Sequence, residues 1–261
     1  MCIRDSDTVM KNIGSLENKG WEFELGGDIV RSKNFRYTSS LRLSHNKSKI
    51  KRLGDDGYFL DQVTFPSPGN PGTAVRLQND VEIGQFFVYK YAGLDEDGKW
   101  MIYDKNNEIV PAVDGTKSNL VAENKHFVGN AIPKVILSWD HTFRYKNWDF
   151  GFNGHGSAGN WVFNDFASAN STSNIDINAG NLPNFARLVK KTGFTKANSG
   201  EQWYSDMFLE NASFFRMDDI NLGYTFNKIG NWKGSMRVAF GVQNVFVITD
   251  YSGVDPEICL L

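Results

Sequence analysis

Long apolar runs are missing from this 261-residue chain: nowhere do about 18 apolar residues follow one another, so no transmembrane helix is encoded. That leaves a transmembrane β-barrel open, because barrel strands carry only an alternating signal. Cysteine is scarce. Cys2 and Cys259 stand at opposite ends without metal-type spacing, which excludes a disulfide framework and a cysteine metal site. The four histidines, His45, His126, His141 and His155, lack the two- or four-residue spacing of ligand pairs. Charge of one sign is missing too. Lys and Arg number 28 against 30 Asp and Glu, a net charge of -2, and no basic stripe speaks for nucleic acid. No Gly-x-Ser-x-Gly elbow, phosphate loop or dinucleotide fingerprint occurs, so neither an enzymatic reaction nor a cofactor is assigned. Asp95-Glu96-Asp97-Gly98 lacks the twelve-residue spacing of a calcium loop. Asp218 and Asp219 are neighbours on a predicted strand, where adjacent side chains point to opposite faces and cannot flank one glycosidic bond.

What the chain does hold is aromatic residues and glycine, with 20 Phe, 9 Tyr, 7 Trp and 25 Gly set among Asn and Ser. This composition fits short strands joined by polar links better than helices. Residues 213–226 show the pattern most clearly: Ile220, Leu222, Tyr224 and Phe226 alternate with Asn221, Gly223 and Thr225. One face is then apolar and the other small and polar, as in a soluble sandwich or an outer-membrane barrel. Arg216, Asp218 and Asp219 stand at one end of this strand. Eight strands are predicted in all, over 20–30, 35–43, 81–93, 99–104, 135–145, 148–155, 213–226 and 235–243. In the first hairpin Glu22, Glu24 and Asp28 face Arg36 and Arg42, an arrangement that permits cross-strand ion pairs. Phe143, Tyr145, Trp148 and Phe150 gather at the tip of another, where a membrane-interface girdle would place them. The links alternate between short (31–34, 146–147, 227–234) and long (47–80, about 105–133, 157–211). Barrels put short turns on the periplasmic side and long loops outside, so this rhythm favours a barrel.

Four motifs in order, Asn18-Lys19-Gly20-Trp21-Glu22, Gly129-Asn130-Ala131-Ile132-Pro133-Lys134, Arg216 to Phe226, and Gln243-Asn244-Val245-Phe246 through Asp255-Pro256-Glu257, resemble the C-terminal barrel of SusC/RagA-type TonB-linked outer-membrane transporters. The resemblance implies an all-β fold: an antiparallel transmembrane segment contributing about eight strands of a 22-stranded plugged barrel. It also implies a Gram-negative, Bacteroidetes-like outer membrane, a SusD-like surface lipoprotein partner, TonB acting through an N-terminal region, and oligosaccharide or peptide cargo. Residues 7–258 would belong to the barrel domain, with 1–6 and 259–261 as non-native ends and the plug and last strand lying elsewhere. Trp161, Phe163, Trp203 and Tyr204, aromatic residues in a polar link, are the candidates for cargo contact, since an exposed ring stacks on a sugar face. The alternatives are a secreted all-β carbohydrate-binding sandwich and a siderophore-type TonB-dependent receptor.

Overall fold

Alternation of period two governs the longest strands, and these strands pair with one another. The computed structural model describes residues 14–64, 73–164, 167, 205–228, 230 and 234–257. The end segments 1–6 and 259–261, with Trp203 and Tyr204, lie outside them. In chain order the strands are β1 Gly14–Arg31, β2 Phe35–Leu53, β3 Phe59–Thr64, β4 Thr73–Gln78, β5 Gln85–Tyr89, β6 Tyr91–Leu94, β7 Trp100–Tyr103, β8 Ile109–Pro111 and β9 Val113–Asp114. They continue with β10 Lys117–Ser118, β11 Lys125–Asn130, β12 Val135–Tyr145, β13 Trp148–Ala158, β14 Trp161–Phe163, β15 Leu209–Asn211, β16 Phe214–Phe226 and β17 Met236–Thr249. The long strands form one six-stranded antiparallel sheet in the order β1-β2-β12-β13-β16-β17. Among the described residues no helix is long and apolar enough to cross a membrane, which says nothing of crossing by strands.

Register gives this sheet two unlike faces. Phe143, Phe150, Leu222 and Phe240 stand opposite one another across four strands, as do Tyr145, Trp148, Tyr224 and Val238. Aromatic contacts reinforce the tiers: Tyr37 stacks on Phe143 at 4.3 Å, and Trp148 meets Tyr224 edge-on at 4.7 Å. The same face is bare. Leu25 is 64% exposed and Phe240 73%, and Trp21, Phe23, Trp148 and Leu222 are exposed as well. His141 interrupts this apolar face but is itself enclosed, its Nδ1 hydrogen-bonded to the Tyr37 hydroxyl at 2.9 Å and its ring packed on Phe152 and Trp139.

The three short links close the same end of the sheet. There Lys146 donates its amide to the Asn34 carbonyl and Thr225 donates to that of Asn147, each at 2.9 Å, so the turns are tied to one another. The long links leave from the far end and build small sheets: β11-β5-β4-β3, β6-β7-β8, β9 with β10, and β14 with β15. Among the described residues, nearly all buried apolar side chains sit in this far layer. One cluster joins Ala74, Val75, Phe86, Val88 and Leu209, another Tyr89, Trp100, Ile102 and Ala112. Only Ile50 of the six-stranded sheet joins the buried apolar set.

Two expectations change in detail. Of the eight predicted strands, six form the large sheet, while those over 81–93 and 99–104 belong to the far layer. The stretches 47–80 and 105–133, expected as loops, contain the end of β2 and strands β3, β4 and β8 to β11. Their strands are short and broken by tight turns built on aspartate. Asp95 Oδ1 accepts the Asp97 and Lys99 amides, and Asp104 Oδ1 accepts those of Asn106 and Glu108. Such Asx turns let strands of three or four residues reverse sharply, below the length at which alternation is recognisable.

Candidate functional site

The face opposite the apolar one is charged, and its charges are matched between strands. Arg42 on β2 reaches Glu24 on β1 at 3.1 Å and Asp140 on β12 at 2.9 Å. Asp28 accepts from Arg36 at 2.7 Å and from Thr38 at 2.8 Å. The cross-strand pairing expected for the first hairpin is therefore present and extends into a third strand. Farther along, Arg237 on β17 passes over β16 to Asp149 on β13, its Nε donating at 3.0 Å. Gly223 makes that crossing possible, since a Cβ there would lie 2.5 Å from an Arg237 guanidinium nitrogen. We expect Gly223→Val to break the Arg237–Asp149 pair without displacing backbone, because the obstructed atom ends a flexible side chain. Nitrogen chemical shifts of the arginine side chain report the loss. Near the turns this face encloses a concave space of about 720 Å³ lined by Asp140, Thr142, Arg144, Asp149, Asn221 and Arg237 among others.

At the far end the same face carries a clasp. A bulge sets Asp218 between Asp219, which opposes Asn153, and Met217, which opposes Gly154. On β17 the matching irregularity includes Asn244 at φ 51°. The extra residue shifts the alternation by one, so Arg216 and Asp218 reach the polar side with Asp219. The sequence-based premise that Asp218 and Asp219 face opposite ways fails here for that reason: Asp219 accepts from Asn221 at 2.9 Å and Asp218 lies 2.8 Å from His155 Nδ1. Arg216 donates to both carboxylate oxygens of Asp255 at 2.8 Å, and its Nε lies 2.6 Å from Glu257. The Glu257 carboxylate is also 2.7 Å from His155 Nε2.

The segment 249–257 is thus strapped across the top of the sheet. Its other anchor is in the far layer, where Glu210 accepts from the Ser252 amide and hydroxyl, each at 2.7 Å, and Asn164 donates to that hydroxyl. Sequence reasoning missed the clasp, although the run Met217-Asp218-Asp219-Ile220 breaks strict alternation and marks where a bulge belongs. We expect Arg216→Ala to loosen the strap by about 1–2 kcal/mol, low in the range for charge-assisted bonds because both carboxylates keep some water. Faster amide exchange at Ser252 and Glu257, with β13 unchanged, is the expected reading.

The predicted aromatic candidates divide. Trp161 and Phe163 sit on β14 and are half-buried against the first apolar cluster, and Phe163 meets Phe208 edge-on at 6.3 Å. Trp161 presses on Gly129, where φ is 63° and a Cβ would lie 2.7 Å from the indole. Trp203 and Tyr204 fall outside the described residues, so the four are not brought together here.

Two carboxylates in the far layer titrate in opposite senses. Asp61 forms a two-point pair with Arg76, at 2.6 and 2.8 Å, and those hydrogen bonds hold its carboxyl below the usual range. Asp206 is half-buried, and that desolvation pushes its carboxyl up although it accepts the Tyr91 amide at 2.8 Å. The depressed group stabilises the layer above the ordinary carboxylate value and loses that contribution as pH falls through its lowered one. The raised group does the reverse, weakening the layer as pH climbs from the ordinary carboxylate value through its raised one. Asp61→Asn is therefore expected to lower the far layer's stability at neutral pH, and Asp206→Asn to preserve or raise it. Hydrogen exchange on β4, β5 and β6 as a function of pH checks both.

No family model matches the chain. The TonB-dependent receptor SusC of Bacteroides thetaiotaomicron is 34% identical over 264 residues, covering 96% of this chain and 25% of that protein. TonB-dependent receptor P3 of Formosa agariphila is 26% identical over 271 residues, covering 95% of this chain and 26% of the relative. Among solved structures, the RagAB peptide transporter superposes with a TM-score of 0.77 at 18% identity, covering 94% of this chain and 27% of that one. The RagAB peptide importer in its closed-closed state gives 0.70 at 20% identity, covering 95% and 27%. At those identities the structural likeness establishes the fold. The chain spans about a quarter of the length of the curated relatives it matches.

Proposed function

The chain carries barrel sequence of the SusC/RagA type of TonB-dependent receptor, and from that premise we propose that it forms part of the wall and outer loops of an outer-membrane importer. Residues 7–258 belong to the barrel domain of a longer receptor. The apolar face of the six-stranded sheet meets lipid, the charged face looks into the lumen, the short turns lie in the periplasm and the far layer stands outside the cell. Cargo, an oligosaccharide or a peptide, is held by the outer layer under a SusD-like lipoprotein and is released inward when TonB acts on the plug. No covalent chemistry and no cofactor enter this cycle. Trp161, Phe163, Trp203 and Tyr204 remain the aromatic candidates for cargo contact.

One observation supports this reading above the others: the sheet's large hydrophobic side chains are uncovered while the buried core lies elsewhere. In a secreted sandwich a second sheet would cover that face. Among the described residues none does. The test is alternating cysteine labelling on β16 of the full-length receptor in its native membrane. A water-soluble thiol reagent is expected to modify Asn221→Cys and to spare Leu222→Cys, which a lipid-soluble reagent reaches. Equal labelling of both by the water-soluble reagent, or recovery of the receptor only from the soluble fraction, overturns the proposal.

A further inference from the structure

The clasp holds one histidine between two carboxylates. His155 on β13 has an Asp218 oxygen 2.8 Å from Nδ1 and a Glu257 oxygen 2.7 Å from Nε2, the first carried by β16 and the second by the strap. A neutral imidazole has a single N–H, so one of these contacts would set a nitrogen lone pair against a carboxylate oxygen. With both carboxylates ionised, only the imidazolium donates to the two at once. The bulge in β16 is what makes the arrangement possible, since strict alternation would turn Asp218 to the apolar face.

The other charges around the ring are already engaged. Arg216 stands opposite His155 in register and is committed to the strap, donating to both Asp255 oxygens at 2.8 Å with its Nε 2.6 Å from Glu257. Asp219, one residue along β16, accepts from Asn221 instead. On β12 the residue opposite is Ser138, and the next charges, Asp140 and Arg42, pair with each other at 2.9 Å. Phe214 meets the imidazole edge-on at 5.5 Å. Three carboxylates, Asp218, Asp255 and Glu257, thus share one arginine, and among the described residues the ion-pair partner of Asp218 is His155. Without the imidazolium, Asp218 and Glu257 face each other across an uncharged ring.

We infer that His155 is a proton-operated latch for the strap: protonated, it ties Glu257 to β13 and β16, and deprotonated, it lets that end of the strap go. The linkage has one sign. A closed strap carries a proton on His155 that an open strap gives up once pH passes the ordinary histidine value of about 6.5, so the hold is full in mild acid and fades as pH rises. The anchor in the far layer, Glu210 with Ser252 and Asn164, contains no histidine, so the latch acts on one end of the tie between sheet and far layer and leaves the other in place.

The test is hydrogen exchange of the full-length receptor in detergent, followed on residues 249–257 and on β12 and β13 as internal control, with rates corrected for the intrinsic pH dependence of exchange. The Glu257 amide, which donates to Asp255 at 2.9 Å, is the most direct reporter. Its protection is expected to fall about tenfold from about pH 6 to about pH 8, inside the limit of about tenfold per pH unit for one released proton, while the control strands stay unchanged. His155→Gln, uncharged throughout, is expected to be weakly protected at both ends of this range and to show no slope. Glu257→Gln, which leaves His155 a single carboxylate, should flatten the slope as well. Glu257 lies outside the strands, so this second variant reads the latch even where a change inside β13 disturbs the sheet. Wild-type protection that does not vary with pH, or a slope that survives in either variant, overturns the inference. The experiment reads the strap itself, so its outcome is independent of which face of the sheet meets lipid.

Discussion

Arginine at position 222 is expected to strip the receptor from the outer membrane, while arginine at position 221, one residue away, leaves it in place. Leu222 opposes Phe150 and Phe240 in the tier next to the turn-end tier of Tyr145, Trp148 and Tyr224, within the apolar face, and is exposed there. A cation on the lipid side of a barrel costs about 2–4 kcal/mol at the bilayer midplane and less towards the interfaces, and long side chains facing the lumen cost little. Folded domains have only about 5–15 kcal/mol of stability in total, so a loss of that size reduces the assembled population severely. The measurement is the amount of heat-modifiable, membrane-extracted receptor for Leu222→Arg and Asn221→Arg. Equal losses from the two would mean that the faces have been assigned wrongly.

The second large effect is confined to the far layer. Trp100 is 2% exposed and packs with Tyr89, Ile102 and Ala112, so Trp100→Ala is expected to cost that layer about 3–5 kcal/mol. The indole N–H is buried without a hydrogen-bond partner among the described residues. Trp100→Phe removes that orphan donor along with little apolar volume and should cost much less. Because the six-stranded sheet shares none of this cluster, both variants should reach the membrane in normal amounts. Only the alanine variant should lose protease resistance across residues 85–112, and cargo uptake with it. A drop in membrane abundance equal to that of Leu222→Arg would show that wall and outer layer do not fold as separate units.

The wall was legible in the sequence and the outer layer was not, for a physical reason. In strands such as β12, β13 and β16 a single variable, apolar face or charged face, decides residue type, and the period of two follows directly. In the outer layer a strand such as Ile109–Pro111 packs against several neighbours at once. Tyr89, Trp100 and Ala112 are buried together although they come from two strands and the bend between β8 and β9, and no local period encodes their meeting. The clasp lay between these cases. Arg216, Asp218 and Glu257 were visible as charges, but the bulge that turns Arg216 and Asp218 to one side needs the register of three strands to be seen. Trp161 and Phe163, chosen because aromatic residues in a polar stretch call for a partner, have much of that partner in Ala74, Val75 and Leu209.

The outer layer also has a history in time. Its first cluster joins Val75 and Phe86, which precede β12, to Leu209, which follows β13, and the Tyr91 amide is held by Asp206. In this cluster the two long excursions complete each other, whereas the cluster of Tyr89, Trp100, Ile102 and Ala112 lies wholly within the first. Contacts spanning so much sequence form late. On the proposed orientation, the first excursion would reach the cell surface before Trp161, Phe208 and Leu209 arrive to complete these contacts. The interval between delivery of the first hairpins and of β15 is the moment when a surface protease or a chaperone would find this receptor most open.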